Sequence, residues 1–156
     1  MIRKAEKTDI KQIAEIYRDM HLIHKEIRAD YFKLSSIDSF FNNLNNLFKN
    51  NDINIIVYEE NEVIKGYACF FLKQRDESDE MHKSIKRCFI EHFAVHQNYR
   101  QKGIGKSLFD YIKNFAVQNN CNSIELGVWY ENYDAVNFCG SVGFVPRMYK
   151  MEMKLK

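Results

Sequence analysis

The stretch IEHFAVHQNYRQKGIGKSLF, Ile90 to Phe109, constrains the fold of this chain more than any other segment. Cys88 to Val95 are rich in β-formers and run into the turn-prone His96-Gln97-Asn98-Tyr99, a pattern that predicts a strand. From Gly103 onward, Ile104, Leu108, Ile112, Phe115 and Ala116 recur at helical spacing, which predicts a helix from near Gly103 to near Asn119. Gly103 and Gly105 lie at the junction, where the missing Cβ lets another group come close to the backbone. A strand that feeds a helix through such a loop aims several N–H groups, and the positive end of the helix dipole, at one point. That point suits a phosphate.

Two common phosphate loops share residues with this one, and both fail. Gly105-Lys106-Ser107 matches the tail of GxxxxGK[ST], but that loop needs Gly where this chain has Arg100. Gly103-Ile104-Gly105 matches half of GxGxxG, which needs a third Gly where this chain has Leu108. What remains is R-x-x-G-x-G, Arg100 to Gly105, after a strand ending in Ala94-Val95. At these residues the chain resembles the GNAT family of acetyl-CoA-dependent N-acetyltransferases, whose pyrophosphate loop reads [RQ]-x-x-G-x-[GA] after a strand of the IEDLAV type. A second block follows: Ile124 to Trp129, then Asn132, Ala135, Phe138, Gly143 and Phe144. It is similar to the family's strand, its N-x-x-A-x-x-F-Y helix and the G-F that enters a last strand. The two blocks span about residues 88 to 155.

Bulk properties agree with one domain over residues 1–156. At 156 residues and 46% hydrophobic, the chain can bury about two thirds of its unfolded surface. A net charge of +2 from 23 basic and 21 acidic side chains makes no field that would point to nucleic acid or a membrane as partner. Cys69, Cys88, Cys121 and Cys139 form no CxxC pair and read as reduced thiols. Met1 to Thr8 is too polar for a signal peptide and no apolar run approaches the ~18 residues of a membrane span, so a cytoplasmic location is expected.

The remaining elements follow from periodicity. Ile2 to Ala5 predicts a first strand, and Thr8 or Asp9 can cap a helix with its stripe at Ile10, Ile13, Ala14, Tyr17 and Met20. Phe40, Phe41, Leu44, Leu47 and Phe48 predict a second helix through the Asn-rich Ser39 to Asn51. Ile53 to Tyr58 and Val63 to Leu72 read as a hairpin, Lys73 to Arg87 as an exposed connection, and Val145 to Leu155 as a final strand with Pro146 among its first residues. This order is that of a mixed α/β chain. The resemblance implies the single-domain GNAT acyltransferase fold, a mostly antiparallel sheet flanked by helices, with a cofactor-binding core over about 88–155 and an acceptor-binding region over about 10–50.

The cofactor implied is acetyl-CoA. N–H groups around Gln101, Lys102, Gly103, Ile104, Gly105 and Lys106, with Arg100 before them, would cradle its pyrophosphate, and the strand edge at Phe93, Ala94 and Val95 could bond its amides. By resemblance, the Val95 backbone also polarises the thioester carbonyl. Strand alternation places Glu91 with Phe89, Phe93 and Val95 on an otherwise apolar face, where burial would raise its pKa toward that of a general base. The family's matching strand often carries a base acting through water; the competing reading is a Glu paired with Arg or Lys, or left at the rim. His92 and His96 fall on the other face with Cys88 and Ala94, read as hydrogen-bonded structural residues, and no ligand spacing for a metal is present.

Cys139 stands where the family's helix carries the Tyr that protonates the departing thiolate. Cys139 can serve, Tyr130 or Tyr133 can replace it, or the thiolate leaves with solvent help; a packed structural thiol is the plain alternative. Asn132 can contact the cofactor, cap the helix, or both. By resemblance, the acceptor lies near Met20, His21, His24, Arg28, Asp30, Tyr31 and Phe32, which Trp129 and Tyr130 could face. Asp30 could receive a cationic amine, or the aromatics could simply be core. The expected activity is acetyl transfer to a primary amine of a small molecule or peptide, by direct attack. A non-catalytic acyl-CoA-binding or regulatory domain is the alternative, and a homodimer through the last strands is plausible from the resemblance.

Overall fold

In the computed structural model, which describes residues 1–156, the apolar stripes become helices on both faces of a five-stranded sheet. The elements are β1 (Ile2–Lys4), α1 (Ile10–Ile27), α2 (Ile37–Lys49), β2 (Ile53–Glu60), β3 (Val63–Gln74), β4 (Lys86–Val95), α3 (Ile104–Gln118), β5 (Ser123–Leu126) and α4 (Tyr133–Ser141). Strands lie side by side in sequence order, antiparallel from β1 to β4, with β5 parallel to β4 after the α3 crossover. The β2–β3 hairpin closes at Glu60 and Val63, so Asn61 and Glu62 form a two-residue turn at φ 53° and 62°. Positive φ at both positions gives the backbone twist that matches the strands. No helix is long and apolar enough to cross a membrane.

The nearly continuous apolar run of β3 reflects a sheet covered on both sides. Tyr67 and Cys69 belong to the cluster built with Ile13, Ile16, Phe40 and Leu44 of α1 and α2. Ala68 and Phe70 belong to the other, with Ile104, Leu108, Ile112 and Ala116 of α3. Gly66 brings α3 in tightly: a Cβ there would lie 3.0 Å from the Ala94 carbonyl oxygen and 3.2 Å from Leu108 Cδ1.

Asp9 is the single buried charged residue. Its carboxylate accepts Arg3 Nη1 at 2.7 Å, Arg3 Nη2 at 2.9 Å and the Glu6 N–H at 2.7 Å. The Arg3 guanidinium holds its carboxyl below the usual range. Asp9→Asn should therefore lower stability at neutral pH by about 1–3 kcal/mol. A depressed folded pKa contributes stability above the unfolded value of about 3.9 and loses it as pH falls through the folded value. Urea melts should thus show the variant's deficit shrinking in acid; a deficit independent of pH would refute the assignment.

Two expectations fail in this fold. In β4, His92 lies opposite Cys69 but Ile90 lies opposite Phe70, so Glu91 is the extra residue of a β-bulge. One inserted residue reverses the alternation: Cys88, Ile90, Phe93 and Val95 pack on the α3 side, whereas Ala94 packs with α1 and the His92 ring lies against Tyr17. Glu91 therefore does not share an apolar face with Phe93 and Val95, and His92 and Ala94 do not share one with Cys88.

The final strand over Val145–Leu155 is absent, as no element follows α4. Met151, Met153 and Leu155 do alternate with polar residues but are 91%, 84% and 88% exposed. Alternation alone does not make a strand, because backbone N–H and C=O groups need a neighbouring ladder.

Candidate active site

The loop after β4 leaves six consecutive N–H groups, Gln101 to Lys106, without an acceptor in the protein; the first to bond is Ser107, to the Gly103 carbonyl at 3.0 Å. Gln101 and Gly103 both adopt left-handed backbone, at φ 59° and 79°, which turns the loop into a concave row of donors at the start of α3. Arg100 braces this loop, its Nε donating to the Val95 carbonyl at 3.1 Å. Lys102 Nζ donates to the Asn98 carbonyl and Lys106 pairs with Asp110, so both ammonium groups stay at the loop's rim.

Beside the loop the sheet is open. β5 follows β4 only from Arg87 to Ile90, so Glu91 to Val95 have no ladder partner on that side. An extended amide-bearing chain can pair with such an edge. Helix α4 forms one wall: Phe138 stacks on Phe93 with ring centroids 5.4 Å apart and sits against Gly105. Asn132 caps α4, its Oδ1 accepting the Ala135 N–H at 3.3 Å. Cys139 follows Phe138 and is half-buried, and burial pushes its thiol pKa up, so it keeps its proton at neutral pH. Tyr130 is 74% exposed and Tyr133 65%.

The bulge turns Glu91 out of the sheet. Its carboxylate is exposed, and no Arg or Lys pairs with it. The burial expected from strand alternation is thus missing; of the competing reading, the ion pair is missing too, and the exposed rim position is what the structure shows. The neighbour of Glu91, His92, packs against Tyr17 on the α1 side of the sheet. On that side a row of rings runs from the sheet to the rim: Tyr67, His92, Tyr17, Phe40, His21, Phe32 and Trp129.

At the rim, Arg28 lies 5.1 Å from the Trp129 ring centroid and 5.6 Å from that of Tyr31. Asp30 does not wait there for a cation. It already binds Arg28 at 2.9 Å and Lys154 at 2.9 Å, and Arg28 holds its carboxyl well below the ordinary range. Arg28 also reaches Glu152 at 3.1 Å, so the C-terminal segment is tied to the rim by its polar residues.

These features fit coenzyme A: a concave row of donors for a pyrophosphate and an open strand edge for an amide chain. A family profile settles the matter, since the acetyltransferase (GNAT) family matches residues 13–144. The chain belongs to this family. It is accordingly an acetyl-CoA-dependent acyltransferase. Among solved structures, a mutant of the BH1408 protein from Bacillus halodurans superposes with a TM-score of 0.94 at 24% identity, covering 100% of this chain and 99% of that one. The aminoglycoside 6'-N-acetyltransferase AAC(6')-Ig from Acinetobacter haemolyticus gives 0.73 at 13% identity, with coverage of 100% and 98%. AAC(6')-Iy in complex with CoA gives 0.72 at 13%, with coverage of 100% and 99%. At these identities the likeness is one of fold.

In this GNAT acetyltransferase the loop residues from Arg100 to Lys106 and the edge residues from Phe93 to Val95 come together, with Asn132 and Cys139 on the adjoining helix. Sequence reading missed Tyr17 and Tyr67 as neighbours of His92 in the row of rings. One signal was available for Tyr67, because a phenol inside the otherwise apolar Val63–Leu72 run needs a hydrogen-bond partner.

Proposed function

We propose that the chain transfers the acetyl group of acetyl-CoA to a primary amine of a small molecule or peptide, by direct attack of the amine on the thioester. The observation that carries this reading is the bulge at Glu91, which leaves an exposed, unpaired carboxylate at the open edge of β4. Acetyl-CoA, when bound, supplies the activated acyl carbon and a thiolate leaving group. Arg100 to Lys106 hold its phosphates, and Phe93, Ala94 and Val95 hold its amide arm. Glu91 takes the amine proton through a water as the N–C bond forms and the C–S bond breaks. Cys139, or Tyr130 from the exposed wall, returns a proton to sulfur, and Asn132 keeps α4 in register while facing the cofactor. Burial keeps the Cys139 proton in place but also makes the thiol a weaker acid, so Tyr130 stays its rival as donor.

Purified protein with acetyl-CoA and a panel of alkyl amines, amino alcohols, amino acids, aminoglycosides and peptides, followed by thiol release, tests the reading. Turnover on at least one class is expected, with the product acetylated on nitrogen. Tight acetyl-CoA binding without turnover on any amine would overturn it.

We further propose that the working form is a cytoplasmic homodimer joined through the C-terminal segment. Four free thiols support a reducing compartment. Met148, Tyr149, Met151, Met153 and Leu155 expose large apolar side chains on one chain end, a patch uncommon on a monomer. Met151→Lys with Met153→Lys should convert the dimer to a monomer in analytical ultracentrifugation; a wild-type chain that sediments as a monomer at micromolar concentration would refute the proposal.

A further inference from the structure

Tyr67 lies in the middle of β3 with no solvent exposure, and its hydroxyl has one partner, His92 Nδ1, at 3.2 Å. A buried hydroxyl whose proton has no acceptor carries a full desolvation penalty. Nδ1 is the single acceptor in reach, so Tyr67 donates and the Nδ1 lone pair is occupied. In a neutral imidazole the ring proton then sits on Nε2. The groups facing the ring carry no formal charge: Tyr67 and Cys69 on β3, Tyr17 and His24 on α1; Glu91 is the adjacent residue of the strand. Burial, with a smaller push from His24, lowers the His92 pKa to about 4, and burial raises that of Tyr67, so neither ionises near neutral pH.

Nε2 itself bonds to nothing in the protein. It is also not among the fully buried polar atoms without a partner, of which Arg87 Nε is the sole case, so it keeps some solvent contact. An imidazole with one nitrogen capped and the other protonated has no lone pair for a proton. It is a fixed neutral donor, next in the chain to Glu91.

We propose that the Tyr67–His92 pair determines acceptor specificity by presenting His92 Nε2–H to an oxygen close to the reacting nitrogen, so that amino alcohols, amino sugars or amino acids are taken in preference to plain alkyl amines. The inference rests on the amine-transfer reading above. In that reading the neighbouring residue handles the amine proton, and a donor one residue away on the same bulged strand meets an atom a few bonds from that nitrogen. A site built to hydrogen-bond an oxygen discriminates against the analogue that lacks it, because its donor is then left unpaired.

Two measurements test this. Long-range 1H–15N correlation spectra of the wild-type protein should show His92 as the Nε2–H tautomer, unchanged between about pH 5 and 8; the Nδ1–H tautomer or a titrating ring overturns the proposal. Second, kcat/KM is compared for an alkyl amine and an amino alcohol of equal chain length. The wild type should favour the amino alcohol about fivefold to tenfold, chiefly through KM. His92→Gln, whose amide N–H can replace the donor, should keep the preference, and His92→Phe should erase it. An undiminished preference in His92→Phe overturns the proposal. If no amine turns over at all, the transfer reading fails separately, and the donor is judged by its tautomer and by whether amino alcohols, but not alkyl amines, shift the His92 ring signals.

Discussion

Gly103→Val is expected to weaken acetyl-CoA binding by at least about tenfold while the fold survives. Gly103 has φ +79°, a region that a β-branched residue enters at a cost of about 1–3 kcal/mol. A Cβ there meets nothing within 4 Å, so the strain is in the backbone and not in packing. The loop relieves it by leaving the left-handed region, and that rotates the peptides whose N–H groups form the row from Gln101 to Lys106. The start of α3 is altered but its buried stripe, Ile104, Leu108 and Ile112, is not. Equilibrium dialysis of acetyl-CoA together with a thermal melt reads both effects. Unchanged affinity would mean that the phosphates bind elsewhere.

Glu91→Gln should reduce kcat about a hundredfold to ten-thousandfold, the usual contribution of a positioned base, with acetyl-CoA affinity unaltered. Gln keeps the shape of the side chain and loses the proton acceptor. Glu91 is the bulged residue, is exposed, and braces no part of the core, so loss of activity without loss of stability is the expected signature. His92 will not substitute for it, because its Nδ1 already accepts from Tyr67. The pH dependence of kcat/KM is the deciding measurement: the variant should lose the limb that rises with pH, and an unchanged profile would remove Glu91 from the reaction.

Much of the cofactor side of this enzyme is legible along the chain. The loop from Arg100 to Gly105 is built from contiguous residues, and the donors converge because of local backbone geometry alone. Helix α3 runs from Ile104 to Gln118, matching the expected stripe from near Gly103 to near Asn119. The acceptor side is different. Asp30 looks like a receptor for a cation until Arg28 and Lys154 are seen to occupy it, and Lys154 is far from it in sequence. Tyr67 and His92 lie on different strands and acquire a chemical relation only through the β3–β4 register.

The strongest contrast is within β4 itself. From composition, Cys88 to Val95 is a strand, and from period two its faces follow; the first inference holds and the second does not. A bulge is a property of a strand pair, since one residue becomes surplus only when a partner strand fixes what lies opposite its neighbours. The C-terminal residues fail for the same reason in reverse, with alternation present and the partner strand missing. Local spacing thus determined the family, the loop from Arg100 to Gly105 and the helices, because each depends on residues a few positions apart. Which side Glu91 faces, what holds His92 and where the chain end lies were decided by tertiary pairing, because register and ion pairing join residues whose separation along the chain carries no period.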